Sequence, residues 1–537
     1  MKTFIDTSFY DGEVDWARVR QLCNQVIIRA GQGSWPDSMF QRNWAGAKLV
    51  GLKRSSYWYY DSRTPPKSQA ERWVSYLGDD TGDMLFLDLE ESYGGDYSGW
   101  RYWVEFLERL KELVPNDIGI YTAPYYWKDN TPNDEDLLYF AQYPLWIANY
   151  QVNNPTVPAP WRTWQYWQYT DKGDNSYYGV QNSSVDLNYS KDGGVEYFYD
   201  NTVRYTYGYK DTPRPFFYHC VMFPREVKRV HVNGYGFQGT AKYFYETREQ
   251  PDIVINGGHG WYDRSPPVPM GYIISDGNIQ KNDTDEVNIQ WDDSHNVLGM
   301  AWAKLSGVYN CVGVSDVLLE NGVVQPVDDM SVDPRTSLFW DDTHYYIVVI
   351  DGRNNGTKGL TRLELAEFAK SLGCKFGGNL DGGDSSALLI NSILQNNPPE
   401  HYSGNPEQSL KAVVNHVGFS LDEGEVPPMD ATHNVIKDVR VRLAPNFYAS
   451  GVGDVYKGST IESLDSVPDS KPAGTVPVMW EKIGSNRYVP NNHHSDPNIV
   501  YLEKIGAEPP EPEPVKVVHV IETYSDGTVT VDGIPFA

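Results

Sequence analysis

The first 190 residues alternate short apolar runs with stretches of helical period. The runs are Phe4-Ile5 before Asp6, VIIRAG at 26–31, SSYWYYD at 55–61, MLFLDLEES at 84–92, IGIYT at 118–122, LWIANY at 145–150, WQYWQYT at 164–170 and VDLNY at 185–189. Between two of them, WRYWVEFLERLKELVP repeats Trp103, Leu107, Leu110 and Val114 at helical spacing until Pro115 stops the pattern. Strand and helix alternating in this way predict a parallel α/β barrel. Functional residues of such barrels sit at the carboxyl ends of the strands. Asp6, Asp61, Asp88, Glu90, Asn149, Gln168 and Asp186 are expected there.

The run at 84–92 carries the densest chemistry. Asp88 and Glu90 are one residue apart at the end of an apolar strand, so their side chains share a face, with Cα atoms about 6.6 Å apart. Two carboxyls pointing one way suit glycoside hydrolysis, where one protonates the leaving oxygen and another group steadies the positive charge that develops on the sugar. Mutual repulsion and burial would keep one protonated near neutrality. A lone D-x-E is otherwise two solvated acids in a loop. Tyr59, Tyr60, Tyr121, Trp146, Tyr150 and Trp167 either line a sugar groove or fill the core.

Beyond residue 199 the pattern changes. INGGHGWYD at 255–263 places glycines where the backbone turns sharply or approaches a ligand. HYYIVVIDGR at 344–353 is a buried strand ending in an acid and an arginine. TRLELAEFAKSLG at 361–373 opens with Thr361 and Glu364 as a capping box and closes on Gly373. NLDGGDSSALLI is a tight polar turn between apolar runs. The acidic, Pro-bearing stretch DEGEVPPMDATH reads as a linker. Short strands separated by Gly, Asn and Ser follow, then a stiff tether, AEPPEPEPVK. The chain ends in a pattern of strand, D-G turn and strand that reads as a β-hairpin. A lone hairpin is barely stable, so it is expected to dock on this chain or to join copies of it in a homo-oligomer.

Composition narrows the partners. There are 45 Lys plus Arg against 72 Asp plus Glu, a net charge of −27, which argues against sequence-independent binding to nucleic acid or to anionic membrane. Cys23, Cys220, Cys311 and Cys374 are widely spaced and form no C-x-x-C, so neither a disulfide framework nor a zinc site is expected. The start of the chain enters a strand pattern without the apolar region of a signal peptide. No metal is expected in the first domain; in the second the sequence leaves it open.

FIDTSFYDGEVDW, the D-L-E of 88–90, IYTAPYYW, LWIANY, WQYWQYT and VDLNY together resemble the glycoside hydrolase family 25 lysozymes, the Chalaropsis-type muramidases. The resemblance implies an irregular TIM-like (β/α)5(β)3 barrel over residues 1–199 that needs no cofactor. It would cleave the β-1,4 bond between N-acetylmuramic acid and N-acetylglucosamine. Carried over by position, Glu90 is the general acid/base, Asp88 orients the substrate's own 2-acetamido group, and Asp6 and Asp186 are further active-site acids, with Asn149 and Gln168 beside the sugar. Two acids on one strand face are poorly placed for a protein nucleophile. Asp186, from another strand, stays open as a direct nucleophile or base.

Residues 200–422 are similar to the phosphodiester glycosidases, through N-G-G at 256–258, P-R-T at 334–336, D-G-R at 351–353, N-L-D-G-G at 379–383 with Ser385 and Ser386, and N-H at 415–416. This implies an α+β domain with candidate site residues Asn256, Arg335, Asp351, Arg353, Asn379, Asp381 and Ser385. Arg335 and Arg353 are candidates to clamp a phosphate; Asp381, with Asn256 or Asp351, would supply acid/base or charge-stabilising groups. Two departures stand out. Asp384 replaces a glycine of the pattern, and His259-Gly260 replace an aromatic pair. Activity and a repurposed binding role therefore both stay open.

Residues 431–506 resemble the small all-β bacterial Src-homology-3-like barrels, through Arg442 to Pro445, Lys457-Gly458, Trp480 and Tyr488. The tether is then 507–514 and the hairpin 515–537. The whole is expected to be a modular peptidoglycan hydrolase, a phage lysin made in the host cytoplasm that acts on the cell wall or is carried on the virion. The competing expectation is a non-catalytic tail adhesin that grips wall carbohydrate.

Overall fold

The computed structural model describes residues 3–421 apart from 92, 133–134, 200, 235, 266, 283–285, 354–355 and 400–403, and beyond 421 only short strand segments between 433 and 535. Residues 1–422 form one compact unit and 423–537 a second.

The first unit opens with a closed barrel. In chain order it runs β1 (Thr3–Thr7), α1 (Trp16–Leu22), β2 (Gln25–Gln32), a two-residue β3 (Trp35–Pro36), α2 (Phe40–Leu49), β4 (Lys53–Tyr59) and α3 (Pro66–Leu77). It continues with β5 (Met84–Leu89), α4 (Trp100–Leu113), β6 (Asp117–Thr122), α5 (Pro124–Asn130), β7 (Leu145–Ala148), β8 (Tyr166–Gly173) and β9 (Val185–Ser190). Strand order is β1-β9-β8-β7-β6-β5-β4-β2-β3, and a further β1–β2 pairing closes eight strands into a barrel, with β3 hanging on β2. Five strand-helix units are thus followed by three strands with no long helix between them.

Period-two alternation sorts the side chains. On β4, Trp58 faces outward against Trp73 of α3, while Tyr57 faces inward to Trp146 of β7. On β5, Phe86 meets Trp146 and Tyr166 inside the barrel, and Asp88 and Glu90 follow on that face. The helix α4 buries Trp103, Phe106, Leu107 and Leu110, the stripe its sequence period predicts. Val114 lies just past its end, in extended backbone and buried.

The last strand runs against expectation. β9 pairs antiparallel with both β8 and β1, placing Asp186 directly opposite Asp6. Asp186 therefore comes from the beginning of its strand, not its carboxyl end. It still reaches the same rim because the strand is reversed.

Strand pairing beyond the barrel begins before residue 199. Gly194–Phe198 pairs with Val203–Lys210 in the eight-stranded antiparallel sheet of the next domain. That sheet and two five-stranded antiparallel sheets bury a core that includes Tyr205, Trp291, Ile347 and Phe419. The helix Arg362–Ser371 begins with the expected capping box, Thr361 with Glu364, and ends before Gly373 in the left-handed region.

The two domains share a seam that climbs the barrel flank. At its foot, Phe217 joins the barrel core and packs on Trp164 with centroids 6.4 Å and planes 29° apart, with Tyr209 beside it. At its rim, Gly356 N donates to Asn153 O at 2.7 Å and Asp174 N to Gly404 O at 3.2 Å. Asn405 Nδ2 donates to the Asp174 carboxylate, and the Tyr177 hydroxyl to Glu407.

In the second unit, Val439–Arg442, Gly451–Val455, Asp465–Pro468, Met479–Gly484 and Arg487–Pro490 join in one five-stranded sheet. Ile521–Thr523 pairs antiparallel with Val529–Val531, and Ile534–Pro535 adds a third short strand. Pro445, Lys457-Gly458, the D-G turn and the 507–514 tether lie outside the described residues, as do the side chains of Arg442, Trp480 and Tyr488.

Candidate active site

Four carboxyls converge at the barrel rim. Asp6 and Asp88 are buried, at 5% and 2% exposure, and Glu90 is half-buried. Burial raises all of them; Asp88, Glu90 and Asp186 each feel another carboxyl of the group, and Asp6 feels Asp11. Asp6 is pushed up to about 6 by burial, against hydrogen bonds from Asn188 and Gln168 that favour its charged form. Glu90 rises to about 7 through burial and the Asp6 charge, and Asp186 to about 9 through burial, Asp6 and Asp11. Asp88 is held well above the carboxylate range by burial and by Glu90. Its Oδ1 is buried without a hydrogen-bond partner among the described residues.

A single amide organises the centre. Gln168 Nε2 donates to Asp6 Oδ1 at 3.0 Å and to Asp186 Oδ2 at 3.1 Å. Its Oε1 accepts from the Tyr121 hydroxyl at 2.7 Å and the Tyr150 hydroxyl at 2.6 Å. Asn188 Nδ2 donates to Asp6 at 2.7 Å, and its Oδ1 accepts from Trp146 Nε1 at 2.7 Å. Asp6 and Asp186 thus share one donor, Gln168, on a network fixed by two tyrosines and a tryptophan.

The cation serving this cluster was not anticipated. Arg29, 5% exposed, lowers both Asp88 and Glu90. It sits over the rings of Trp35 at 5.0 Å and Tyr59 at 5.3 Å and donates to Gln32 Oε1 at 2.6 Å. Gln32 in turn donates to Asp61, and Arg63 holds Asp61 at 2.6 Å, keeping that carboxyl low. Asp61 is therefore a support for Arg29 and not a member of the acid cluster. The available signal was an arginine inside the apolar run VIIRAG.

Not every expected aromatic reaches the site. Tyr59, Tyr121, Trp146 and Tyr150 do. Tyr60 faces the helices, packing on Phe106 and donating to Tyr97 O. Trp167 points away from Gln168, among Trp164, Tyr169 and Tyr189. Asn149 contributes structure: its N donates to Gln168 O, and its Oδ1 accepts from Thr156 N.

In the middle domain the expected residues divide. Arg335 Nε donates to Leu360 O and its Nη2 to Ser331 O, while Arg353 is paired with Asp333 at 2.7 Å. Neither is a free clamp, although both guanidinium groups border the Gly382-Gly383 turn. Asn256 is buried and ties loops, donating to Asp381 O and accepting from Ala387 N. Asp351 is buried against His219 at 3.1 Å and accepts from Asn397 N. Asn379 donates to Ser315. Asp381 has a different neighbour: His259 Nε2 lies 3.4 Å from its Oδ1, and His259 Nδ1 lies 3.5 Å from Glu286 Oε1. Ser385 is buried in the same turn. Among the described residues no group of three or more His, Cys, Asp or Glu is arranged to hold a metal.

Residues 5–177 match the family model Glycosyl hydrolases family 25, and residues 249–420 match Phosphodiester glycosidase. Lysozyme M1 of Streptomyces globisporus is 28% identical over 173 residues, 30% of this chain and 58% of that protein; the chain thus spans little more than half of this relative. A bacterial lysozyme structure from Streptomyces coelicolor aligns at 26% identity over 35% of this chain and 92% of that one, with a TM-score of 0.31. The zebrafish N-acetylglucosamine-1-phosphodiester alpha-N-acetylglucosaminidase catalytic domain, auto-inhibited by its pro-peptide, aligns at 16% identity over 43% and 87%, with a TM-score of 0.34.

Proposed function

We propose, from a first barrel that is a family 25 glycosyl hydrolase domain, that this chain is a glycoside hydrolase that cuts peptidoglycan as an N-acetylmuramidase. The observation that carries the reading is the pair at the carboxyl end of β5, Asp88 on the strand and Glu90 just past it. Glu90, raised to about 7, holds its proton near neutrality and donates it to the leaving glycosidic oxygen. Asp88 offers a buried oxygen that lacks a donor, and the N–H of a 2-acetamido group supplies one. The amide oxygen is thereby aimed at the anomeric carbon. Glu90, ionised after the first step, then takes the proton of the incoming water. Asp186 is an unsuitable direct nucleophile because it is raised to about 9 and so is protonated at neutral pH. With Asp6 and Gln168 it shapes the floor.

Residues 249–420 are read as a domain that hydrolyses or binds a sugar held through a phosphodiester on a wall polymer, and the C-terminal unit as a wall anchor. The setting is a phage lysin. The competing reading, an adhesin that grips glycan without cutting it, leaves the protonated Glu90 without a task.

The test is digestion of Gram-positive peptidoglycan by the parent chain and by Glu90→Gln, with borohydride reduction and mass spectrometry of the new ends. Muramitol ends from the parent, reduced by about 10²-fold or more in the variant, are expected. Wall binding without fragments from either protein would favour the adhesin.

A further inference from the structure

We propose that Asp381, His259 and Glu286 form the catalytic line of a second hydrolytic site, which cleaves a sugar phosphodiester at its anomeric carbon. The inference rests on reading residues 249–420 as a glycosidase domain and assigns the groups that do its chemistry.

Four strand-flanking loops bring the site together. His259 follows the strand Ile253–Asn256, Asp381 follows Phe376–Asn379, Glu286 precedes Val287–Trp291 and Asn415 precedes His416–Ser420. The N-G-G stretch lets the first loop pass between the others. A Cβ on Gly257 would lie 2.1 Å from Asn415 Oδ1, and one on Gly258 2.1 Å from the Gly313 carbonyl. Asp381 N donates to Gly257 O at 2.9 Å, and Gly257 N to Asn415 O at 2.8 Å. His259 then spans the gap between Asp381 and Glu286.

A second, independent observation points to a ligand. Asn415 is 1% exposed, yet among the described residues neither its Oδ1 nor its Nδ2 has a hydrogen-bond partner. Asn379 Oδ1, the Ser386 hydroxyl and Glu286 Oε2 are likewise buried without partners. Leaving such groups unsatisfied destabilises the fold. Their concentration around one acid line fits a polar ligand such as a sugar with its phosphate, and the Gly382-Gly383 turn bordered by Arg335 and Arg353 is where the anionic part fits.

The electrostatics suit a base. Burial disfavours the imidazolium of His259, but Glu286 and Asp381 outweigh it and raise the ring above its ordinary value. Burial raises Asp381, opposed by His259, Ser385 and Lys411. The other charged or titratable groups near the line are Arg362, Tyr262 and Asp384, the last paired with Lys411 at 3.0 Å.

In the reaction Asp381 accepts a proton from water as the water oxygen bonds to C1. The C1–O bond breaks with its electron pair passing to the phosphate oxygen. A phosphomonoester leaves without needing a proton, and Asp381 later releases its proton to solvent. His259 is a positioning residue that holds Asp381 ionised and aimed, and Glu286 holds His259.

The experiment uses the full chain carrying Glu90→Gln, so that the barrel is silent. The probes are the methyl phosphodiesters of N-acetylglucosamine, glucose and galactose 1-phosphate, with methyl phosphate read by phosphorus NMR. Release is expected from at least one. Asp381→Asn should lower kcat/KM by about 10²-fold or more, and His259→Gln should move the acid limb of the pH profile up by about one unit, because the base loses its cation. Circular dichroism and thermal melting keep misfolded variants out of the comparison. No release of any probe by the parent overturns the glycosidase reading of the domain and the inference with it. Release that survives Asp381→Asn, or a His259→Gln profile lowered in height with its limb unmoved, overturns the inference alone.

Discussion

At the scale of single residues, the barrel site is a problem of charge placed in too little water. Asp6, Asp88, Glu90 and Asp186 face one buried cation, Arg29, so they cannot all ionise together. Arg29 lowers Asp88 and Glu90; removing it must raise both. A general acid works while protonated, so the alkaline limb of kcat/KM reports Glu90. Arg29→Gln is therefore expected to carry that limb toward higher pH by about one unit, besides lowering the rate. The check is kcat/KM against pH on soluble glycan oligomers. A profile that only shrinks would assign Arg29 to packing.

At the scale of elements, the helix Arg362–Ser371 shows how local signals fix position. Thr361 Oγ1 accepts from Glu364 N at 3.1 Å, Glu364 Oε2 accepts from Thr361 N at 2.8 Å, and Arg214 holds the same carboxylate at 2.8 Å. Thr361→Ala is expected to cost about 1 kcal/mol, read as a lower denaturation midpoint. This box was legible because it is written within four consecutive residues. The strand carrying Asp88 and Glu90 was legible for the same reason, since alternation is local. That parity also separates Trp167 from Gln168 and Tyr60 from Tyr59, neighbours assigned to one groove. The direction of β9 was not legible: a period of two is the same in either direction, and only the pairing with β1 reverses it. The His259 bridge was out of reach for a related reason. Its departure from the family pattern was visible, but its meaning depends on Glu286 and Asp381, distant in sequence and adjacent only in the fold.

At the scale of the molecule, the barrel and the middle domain are not beads on a string. The strands β7, β8 and β9 have no long helices between them, and Phe217 and Tyr209 of the neighbour enter the barrel core beside Trp164. The pair should therefore melt in one shared transition. Phe217→Ala, which removes a side chain only 1% exposed, is expected to cost about 3 kcal/mol or more and to lower that shared midpoint by several degrees in calorimetry. Two transitions of which only one moves would contradict it. The seam from Phe217 at the foot to Gly356 at the rim also bears on how such proteins can be recombined. A barrel transplanted to an unrelated partner would carry a raw aromatic flank, so the two domains are expected to be inherited and exchanged as one piece.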